Sequence, residues 1–409
     1  MGQSSVIEKR NITKEDIYLE ARLLSEGVRI EIRTPPEKPP AFFGTIVMDG
    51  CEITTFLRPD RYSRVQAVIE GDRVTISDMG EVLGTARFEE RPAWFDLPLS
   101  NGEPAWTALP GMTPDLIAII QNGLCYNQAS GQGCRYCGLF RPWDRVPRSG
   151  EWGRASNDKL RQRGKLAAEA VKLAIDHGWR GKIDFSGGVL PPGHRSELTE
   201  RLEIMMAPLR EAIDDDVLSS MQIAANSYPP DDLAELYRWR DIGLNNVQFD
   251  LEVMDPAYFA AVCPAKHAAH PLEYWKEAQV AAVEVFGRWR GVATSVVMGV
   301  EPMTSLVEGV EERLSEGVLS TPLCFQPTPG SAYEQFRPPT ADWIVEATEK
   351  MAESHFRLED TLDAPLLADD RPGYTRTGRS YYILPLTDEI WRRGQEMGKL
   401  PPGLPKQGT

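Results

Sequence analysis

An apolar run leads directly into three closely spaced cysteines in the stretch DLIAIIQNGLCYNQASGQGCRYC, residues 115–137. The run at 115–121 has the pattern of a buried strand, and Cys125, Cys134 and Cys137 follow it within thirteen positions. The chain opens without a signal-peptide pattern, so we expect a cytoplasmic protein with reduced thiols. In that setting a cluster of three cysteines favours metal or redox chemistry over disulfides.

The residues that follow the apolar run alternate strand and helix patterns. Near-continuous apolar strands separated by amphipathic helices predict a parallel sheet covered on its outer face. The pattern predicts an α/β fold with a partial (β/α)6 TIM-like barrel, whose chemistry gathers at the carboxyl ends of the strands. Six repeats are visible, with strands at 115–121, 181–188, 219–227, 245–252, 291–301 and 318–327 and helices at 158–177, 196–213, 231–241, 271–286, 304–316 and 340–354.

The segment before the repeats predicts a small β-rich domain. Residues 13–26 favour a helix with a Thr13–Asp16 capping box and a stop at Gly27. Period-two patterns then predict strands at 28–34, 45–48, 52–57, 64–70 and 73–77. We therefore expect an N-terminal β-rich domain and linker at 1–112, a core at 113–355 and a short C-terminal cap at 356–409.

Composition and charge exclude several classes of partner. The 409 residues are 42% hydrophobic and 26% charged, which is typical of a globular protein with a large core. The net charge of −15 argues against a nucleic-acid partner. Apolar runs of the length needed to cross a bilayer are absent, so we expect no membrane partner.

The cysteine loop has two alternative interpretations as a metal site. Three thiolates can wrap an iron–sulfur cluster and leave one iron open to a ligand. Zinc would require a fourth ligand, which His177 or His194 would have to supply. The position of the loop at the top of the first barrel strand favours the iron–sulfur cluster, and unligated structural thiols are the third alternative.

The cysteine loop resembles the signature of the radical S-adenosylmethionine (SAM) superfamily. The usual signature is Cys-x3-Cys-x2-Cys with an aromatic residue before the last cysteine, a place that Tyr136 fills here. The first gap has eight residues instead of three, as in other variants of the superfamily with longer gaps. Cys134 and Cys137 match the closing pair, and the departure affects Cys125. The pattern is most similar to the biotin-synthase-like and cofactor-maturase branch.

The resemblance implies a set of SAM contacts. The second strand ends in Ser186, Gly187 and Gly188, whose backbone would meet the amino group of the SAM methionine. Relatives carry a Glu-Pro pair directly after the glycines, and this chain has other residues in place of that pair. Glu252, at the end of the fourth strand, would hold the ribose hydroxyls, and the alternative is a solvated acidic strand end. Gly299, after the fifth strand, would line the adenine.

The resemblance also implies the activity. The three cysteines would bind a [4Fe–4S] cluster at which SAM is reductively cleaved to a 5′-deoxyadenosyl radical that abstracts hydrogen from a small-molecule substrate. A flavodoxin- or ferredoxin-like protein would donate the electron. The alternative is a non-catalytic iron–sulfur electron or cluster carrier with a degenerate SAM site.

Other cysteines and histidines carry weaker signals. Cys263 and Cys324 lie where they would approach the barrel lumen, as auxiliary ligands or sulfur donors or, more often for buried cysteine, as small apolar fillers. Cys51 in the β-rich domain is expected to be structural. His267 and His270 are expected to be surface residues, with proton transfer to substrate as the second interpretation.

Overall fold

The computed structural model describes residues 9–40, 44–109, 111–113, 116–122, 125–138, 155–359, 385–400 and 402. Contacts divide the chain into two units. The first unit holds the described residues up to Pro92 and those from Pro338 onward, and the second unit is Ala93–Arg337. The predicted division differs from this one at the C-terminal end, where it gave residues up to 355 to the core.

The first unit begins with a helix and a mixed sheet. Thr13 and Asp16 form the predicted capping box, and Gly27 ends the helix with a φ of 66°. The six strands lie in the order β1-β4-β5-β6-β2-β3, with β1 and β4 parallel and the other pairs antiparallel. The sequence pattern did not predict β6. The elements are α1 (Lys14–Glu26), β1 (Arg29–Thr34), β2 (Thr45–Met48), β3 (Thr54–Phe56), β4 (Val65–Glu70), β5 (Arg73–Asp78) and β6 (Glu81–Phe88).

The second unit is built on a seven-stranded sheet in the order β13-β12-β11-β10-β9-β8-β7. Strands β8 to β13 are parallel and sequential, as expected for a partial barrel, and only β7 runs antiparallel. The strands are β7 (Gly111–Thr113), β8 (Leu116–Asn122), β9 (Lys182–Gly187), β10 (Ile223–Asn226), β11 (Asn246–Gln248), β12 (Val292–Met298) and β13 (Leu319–Cys324). The predicted α/β fold class is confirmed.

The helices of the second unit follow the strands, as predicted. The predicted fourth βα loop contains two helices that the sequence pattern missed, α7 and α8. The helices are α2 (Tyr126–Ala129), α3 (Asn157–Asp176), α4 (Leu198–Ala212), α5 (Asp215–Ser220), α6 (Glu235–Asp241), α7 (Pro256–Val262), α8 (Pro264–Ala269), α9 (Leu272–Phe286) and α10 (Met303–Ser315).

Two C-terminal helices belong to the first unit, α11 (Ala341–Glu359) and α12 (Pro385–Glu396). The predicted sixth barrel helix is α11, but Lys14 of α1 pairs with its Glu349, and Arg393 of α12 donates to the Glu349 carbonyl. Trp391 of α12 joins the hydrophobic core formed by α1 and the mixed sheet. The residues at 360–384, within the predicted cap, lie outside the described part of the chain.

Replacing Trp391 should therefore destabilise the first unit. The side chain is 3% exposed, and removing a buried tryptophan leaves a large cavity. We expect Trp391→Ala to lower the free energy of unfolding by ~3–5 kcal/mol in urea denaturation. Met397→Ala is the control, since Met397 is 54% exposed and its loss should change stability by less than ~0.5 kcal/mol. Equal effects of the two variants would contradict the placement of α12.

Candidate cluster and cofactor site

The cysteine loop, residues 125–138, is tied to segments that follow three strands. The Tyr126 amide donates to the Val189 carbonyl, just after β9, at 2.9 Å. The Arg135 amide donates to the Val262 carbonyl in α7 at 2.8 Å, and the Tyr333 amide, after β13, donates to the Arg135 carbonyl at 3.0 Å. These bonds place the loop at the carboxyl edge of the parallel sheet, where the barrel pattern predicted the chemistry.

Two glycines let the loop pack closely around its cysteine pair. A Cβ on Gly133 would lie 2.3 Å from Cδ of Gln128, and one on Gly138 would lie 2.4 Å from Cγ2 of Thr328. Both distances are shorter than real Cβ contacts, so neither position admits a side chain without movement. Gln128 fills the space above Gly133 and donates through Nε2 to the carbonyls of Cys134 (3.2 Å) and Cys137 (2.9 Å).

The predicted ligands occupy different parts of this loop. Cys125 precedes α2 as its N-cap residue, whereas Cys134 and Cys137 flank one turn in which the Cys137 amide donates to the Cys134 carbonyl. Among the described residues, groups of three Cys, His, Asp or Glu side chains arranged to hold a metal ion are absent. The gathering of Cys125, Cys134 and Cys137 around one cluster therefore stays a prediction.

The surroundings of Cys134 nevertheless suit an iron ligand. The thiol of Cys263, at the start of α8, hydrogen-bonds to Cys134, and this bond lowers the pKa of Cys134 against the opposing effect of burial. Of the neighbouring charges, that of Glu252 raises the pKa of Cys134 and the smaller effect of Lys266 lowers it, and the pKa stays below its ordinary value. A low pKa favours the thiolate, which is the form that binds iron. The donor set of three free thiols on a glycine-bearing loop thus fits an iron–sulfur cluster.

Glu252 is an ion-paired side chain. Its carboxylate accepts hydrogen bonds from the Tyr136 hydroxyl at Oε2 and from Lys266 Nζ at Oε1, the latter at 2.5 Å. The side chain is 13% exposed, which rules out a solvated strand end. Glu252 has a φ of 71°, and its backbone bonds to Ser295 and Val297 of β12 hold this strained conformation. Its predicted contact with the SAM ribose is untested.

Lys266 provides the positive charge at the centre of this group. Its Nζ also donates to the Asp250 carbonyl at 2.7 Å and lies 4.7 Å from the ring centroid of Trp275. Burial alone would lower the pKa of Lys266, but the negative charges around it, with that of Glu252 the largest, together outweigh burial and raise the pKa above its ordinary value. Lys266 is therefore a permanent cation. Sequence reasoning missed it because it passed as a loop residue beside two histidines.

Tyr136 is the link between this ion pair and the cysteine pair. Burial, and next the charge of Glu252, raise the pKa of Tyr136 well above its ordinary value, so the phenol keeps its proton and donates to Glu252. Tyr136 directly precedes Cys137 in the chain. The ion pair thus fixes the orientation of the residue next to a predicted cluster ligand.

The glycines predicted to contact SAM lie at strand ends. Ser186 and Gly187 are the last two residues of β9, Gly187 has a φ of 147°, and Gly188 follows it. Gly299 directly follows β12 with a φ of 92°. Both glycine positions are therefore at the edge that holds the cysteine loop, and their contacts with SAM stay predictions.

The remaining sequence candidates have other surroundings than those predicted. His177 and His194, the possible fourth zinc ligands, hydrogen-bond to Leu173 and Glu197 instead. Cys324 pairs in register with Met298, on the side of β12 that also carries Val296. Its predicted approach to the lumen is thus not supported by strand alternation.

The other two histidines and the last cysteine have ordinary surroundings. His267 is exposed, and His270 hydrogen-bonds to Asp231. Burial raises the pKa of Cys51 to about 12, as expected for an inert structural thiol.

A sequential six-stranded parallel sheet with a cysteine loop at its carboxyl edge is the architecture of radical SAM enzymes. Among curated proteins, the chain is 43% identical over 398 residues to the bacteriochlorophyllide c C-7(1)-hydroxylase of Chlorobaculum limnaeum. The match spans 97% of this chain and 99% of the relative. The chain therefore belongs to the family of this hydroxylase, within the radical SAM superfamily. It is an enzyme whose family uses a [4Fe–4S] cluster and SAM.

Other comparisons are distant. None of the protein-family models matches the chain. The FeFe-hydrogenase maturase HydG from Carboxydothermus hydrogenoformans has a TM-score of 0.39 and 14% identity, over 58% of this chain and 50% of that one. Methylornithine synthase (PylB) has a TM-score of 0.38 and 15% identity, over 70% and 82%. At these scores neither structure supports a functional comparison. Helices long and apolar enough to span a membrane were not found in the described residues.

Removing the Lys266 charge should lower the free energy of unfolding. Lys266→Met leaves Glu252 as an uncompensated buried carboxylate, and breaking a buried ion pair destabilises by ~3–5 kcal/mol. We expect this loss in urea unfolding of the cluster-free protein.

The matched control is Lys172→Met. Lys172 pairs with Asp176 at 2.7 Å, but both side chains are about half exposed, and such pairs contribute less than ~1 kcal/mol. A Lys266 variant as stable as the Lys172 variant would show that the ion pair with Glu252 is not a structural element of the site.

Proposed function

We propose that the chain is a radical SAM hydroxylase that adds oxygen to a carbon substituent of a bacteriochlorophyllide. The observation that carries the proposal is the full-length similarity to a hydroxylase of C-7(1) of bacteriochlorophyllide c. The site is compatible with it, because the cysteine loop and the Gly187-Gly188 turn follow adjacent strands at one edge of the sheet.

Three residues are proposed to hold the cluster. Cys134 and Cys137 are close in the chain, and Cys125 is the third ligand. Nine peptide units separate Cys125 from Cys134, and at up to ~3.5 Å each they exceed any spacing between neighbouring cluster ligands. Gly131, with a φ of 75°, gives this gap a turn. When bound, the cluster and SAM supply hydrogen abstraction from an unactivated carbon.

The residues of the chain orient SAM and keep its surroundings fixed. We assign the backbone of Ser186, Gly187 and Gly188 to the methionine end, where the absence of a Cβ allows close approach. Gly299 and the ring of Tyr136 are assigned to the adenosine end. Glu252 retains lone pairs beyond those used by Tyr136 and Lys266, so it is assigned to the ribose as well.

The remaining partners are a small-molecule substrate and an electron donor. A flavodoxin- or ferredoxin-like protein is proposed to supply the electron. The carrier alternative is set aside because the chain belongs to a family of enzymes.

The assay is direct. The reconstituted enzyme, with SAM, dithionite and bacteriochlorophyllide c, should yield 5′-deoxyadenosine together with a pigment that has gained one oxygen atom, as measured by chromatography and mass spectrometry. Formation of 5′-deoxyadenosine with an unchanged pigment would contradict the proposed substrate, and the absence of both products would contradict the proposed reaction.

The cluster assignment predicts the iron content of cysteine variants. Cys125→Ala, Cys134→Ala and Cys137→Ala should each lose the absorbance near ~400 nm and most of the ~4 irons per chain that the reconstituted protein holds.

The controls are Cys51→Ala and Cys263→Ala, which should keep both signals. Loss of iron from the Cys263 variant together with full iron in the Cys125 variant would show that Cys263 is the third ligand. Stoichiometric zinc in place of iron would exclude the cluster.

A further inference from the structure

One face of the parallel sheet is polar. Lys182 Nζ on β9 donates to Gln248 Oε1 on β11 at 3.1 Å, and Gln248 Nε2 donates to Ser295 Oγ on β12 at 2.8 Å. Thr321 Oγ1 on β13 donates to the same Ser295 oxygen at 3.1 Å. On the opposite face, Phe249 packs against Trp239 of α6. Because helices cover that outer face, the polar face is the inner one.

Asp184 lies on this inner face with an incomplete set of partners. It alternates along β9 with Ile183 and Phe185, which face the other side, and it is 5% exposed. Asn226 on β10 hydrogen-bonds to the carboxylate, but Oδ1 has no hydrogen-bond partner among the described residues. A buried carboxylate oxygen without a donor is costly, which points to a ligand.

The residues that neighbour Asp184 in the sheet leave room for a ligand. Strand register pairs Asp184 with Ala118 on β8 and with Ala224 on β10, and both side chains are single methyl groups. Asp184 precedes Ser186 by two residues, so it lies ~7 Å along the strand from the edge where SAM is expected. The open oxygen therefore lies beside small side chains and below the reacting edge.

Burial and the neighbouring charges set how readily Asp184 takes up a proton. Burial raises the pKa of Asp184 to about 6, with Lys182 lowering it, Asp250 raising it and the Asn226 hydrogen bond lowering it. Lys182, the cation on the same strand, already donates to Gln248. Near neutral pH the carboxylate is thus ionised but takes up a proton readily.

We infer that Asp184, aligned by Asn226, binds the water molecule that supplies the oxygen of the hydroxylated product and accepts its proton. The inference rests on the proposed function and adds a catalytic residue to it. A general base of this kind contributes ~10²–10⁴-fold.

In this reaction the substrate carbon is oxidised by two electrons. A hydrogen atom leaves the substrate carbon and becomes part of 5′-deoxyadenosine, and one further electron leaves that carbon for a one-electron acceptor of the iron–sulfur class. A carbon–oxygen bond then forms to the water, one O–H bond breaks, and the proton goes to the Asp184 carboxylate.

The first test separates hydrogen abstraction from oxygen addition. Asp184→Asn should lower hydroxylated product by ~100-fold or more while 5′-deoxyadenosine formation is kept. Wild-type product formed in ¹⁸O-labelled water should carry the label. Parallel loss of both products, no loss of either, or unlabelled oxygen would overturn the inference. Asp176→Asn, at an exposed helix end, is the control and should change neither product.

A second variant keeps the carboxylate in place. Asn226→Ala removes a hydrogen bond that lowers the pKa of Asp184, so the acid limb of product formation should shift to higher pH. An unshifted limb would contradict the inference.

The second test uses cluster-free protein and needs no turnover. The ordinary pKa of an aspartate, 3.8, applies to the unfolded chain, so the folded wild type holds its proton more tightly and loses stability as pH rises toward 6. Asp184→Asn has no such proton. Its melting temperature relative to wild type should therefore increase from about pH 4.5 to about pH 8. A difference that does not change with pH would overturn the inference.

The two failures can be told apart. If the wild type forms 5′-deoxyadenosine but no hydroxylated pigment, the proposed function fails. If the wild type hydroxylates and Asp184→Asn does so equally well, the proposed function stands and the assignment of Asp184 fails.

Discussion

The buried cation of Lys266 is the interaction on which the geometry of the site depends. Glu252 cannot stay ionised at this depth without it, and an ionised Glu252 is what accepts the hydrogen bond from the Tyr136 hydroxyl. Tyr136 in turn directly precedes Cys137. A single ammonium group, placed between the Asp250 carbonyl, the Glu252 carboxylate and the face of Trp275, thus determines how the residue beside a predicted iron ligand is held.

The position of Lys266 is secured by contacts around the segment that carries it. Glu301, after β12, accepts the backbone amides of Met254 and Asp255 and so fixes the turn that leads into α7. Two backbone hydrogen bonds then join the cysteine loop to this segment. The Arg135 amide of the loop donates to the Val262 carbonyl, and the Ala265 amide of the segment donates to the Gln132 carbonyl of the loop. A loop with an eight-residue first gap needs such external support, because its own residues form only the short helix α2.

The sequence predicts those features whose cause is local. The capping box of α1 and the apolar strands of the sheet were predicted because they depend on neighbouring residues. The pairing of Lys266 with Glu252 could not be predicted, since fourteen positions separate them and only the fold brings them together. The same holds for α11, whose amphipathic pattern shows that one face is buried but not against which partner. Strand β6 was missed because its exposed and half-buried residues do not alternate.

A hydroxylase of the proposed kind has two opposite requirements, and the two faces of the parallel sheet meet them differently. Reactive carbon must be kept from water until a hydrogen atom has left it, and water must then reach that same carbon. Apolar packing on the outer face, as between Phe249 and Trp239, fixes the strands. The inner face carries Lys182, Gln248 and Ser295 already bonded to one another, so these groups do not compete for a free water molecule. Asp184 differs from these groups, because its Oδ1 has no hydrogen-bond partner among the described residues and lies beside two alanines. A polar surface whose groups are mostly bonded to one another offers water few places, and a carboxylate is a group that can both hold a water molecule and take its proton. One barrel can in this way exclude water generally and still use one molecule of it.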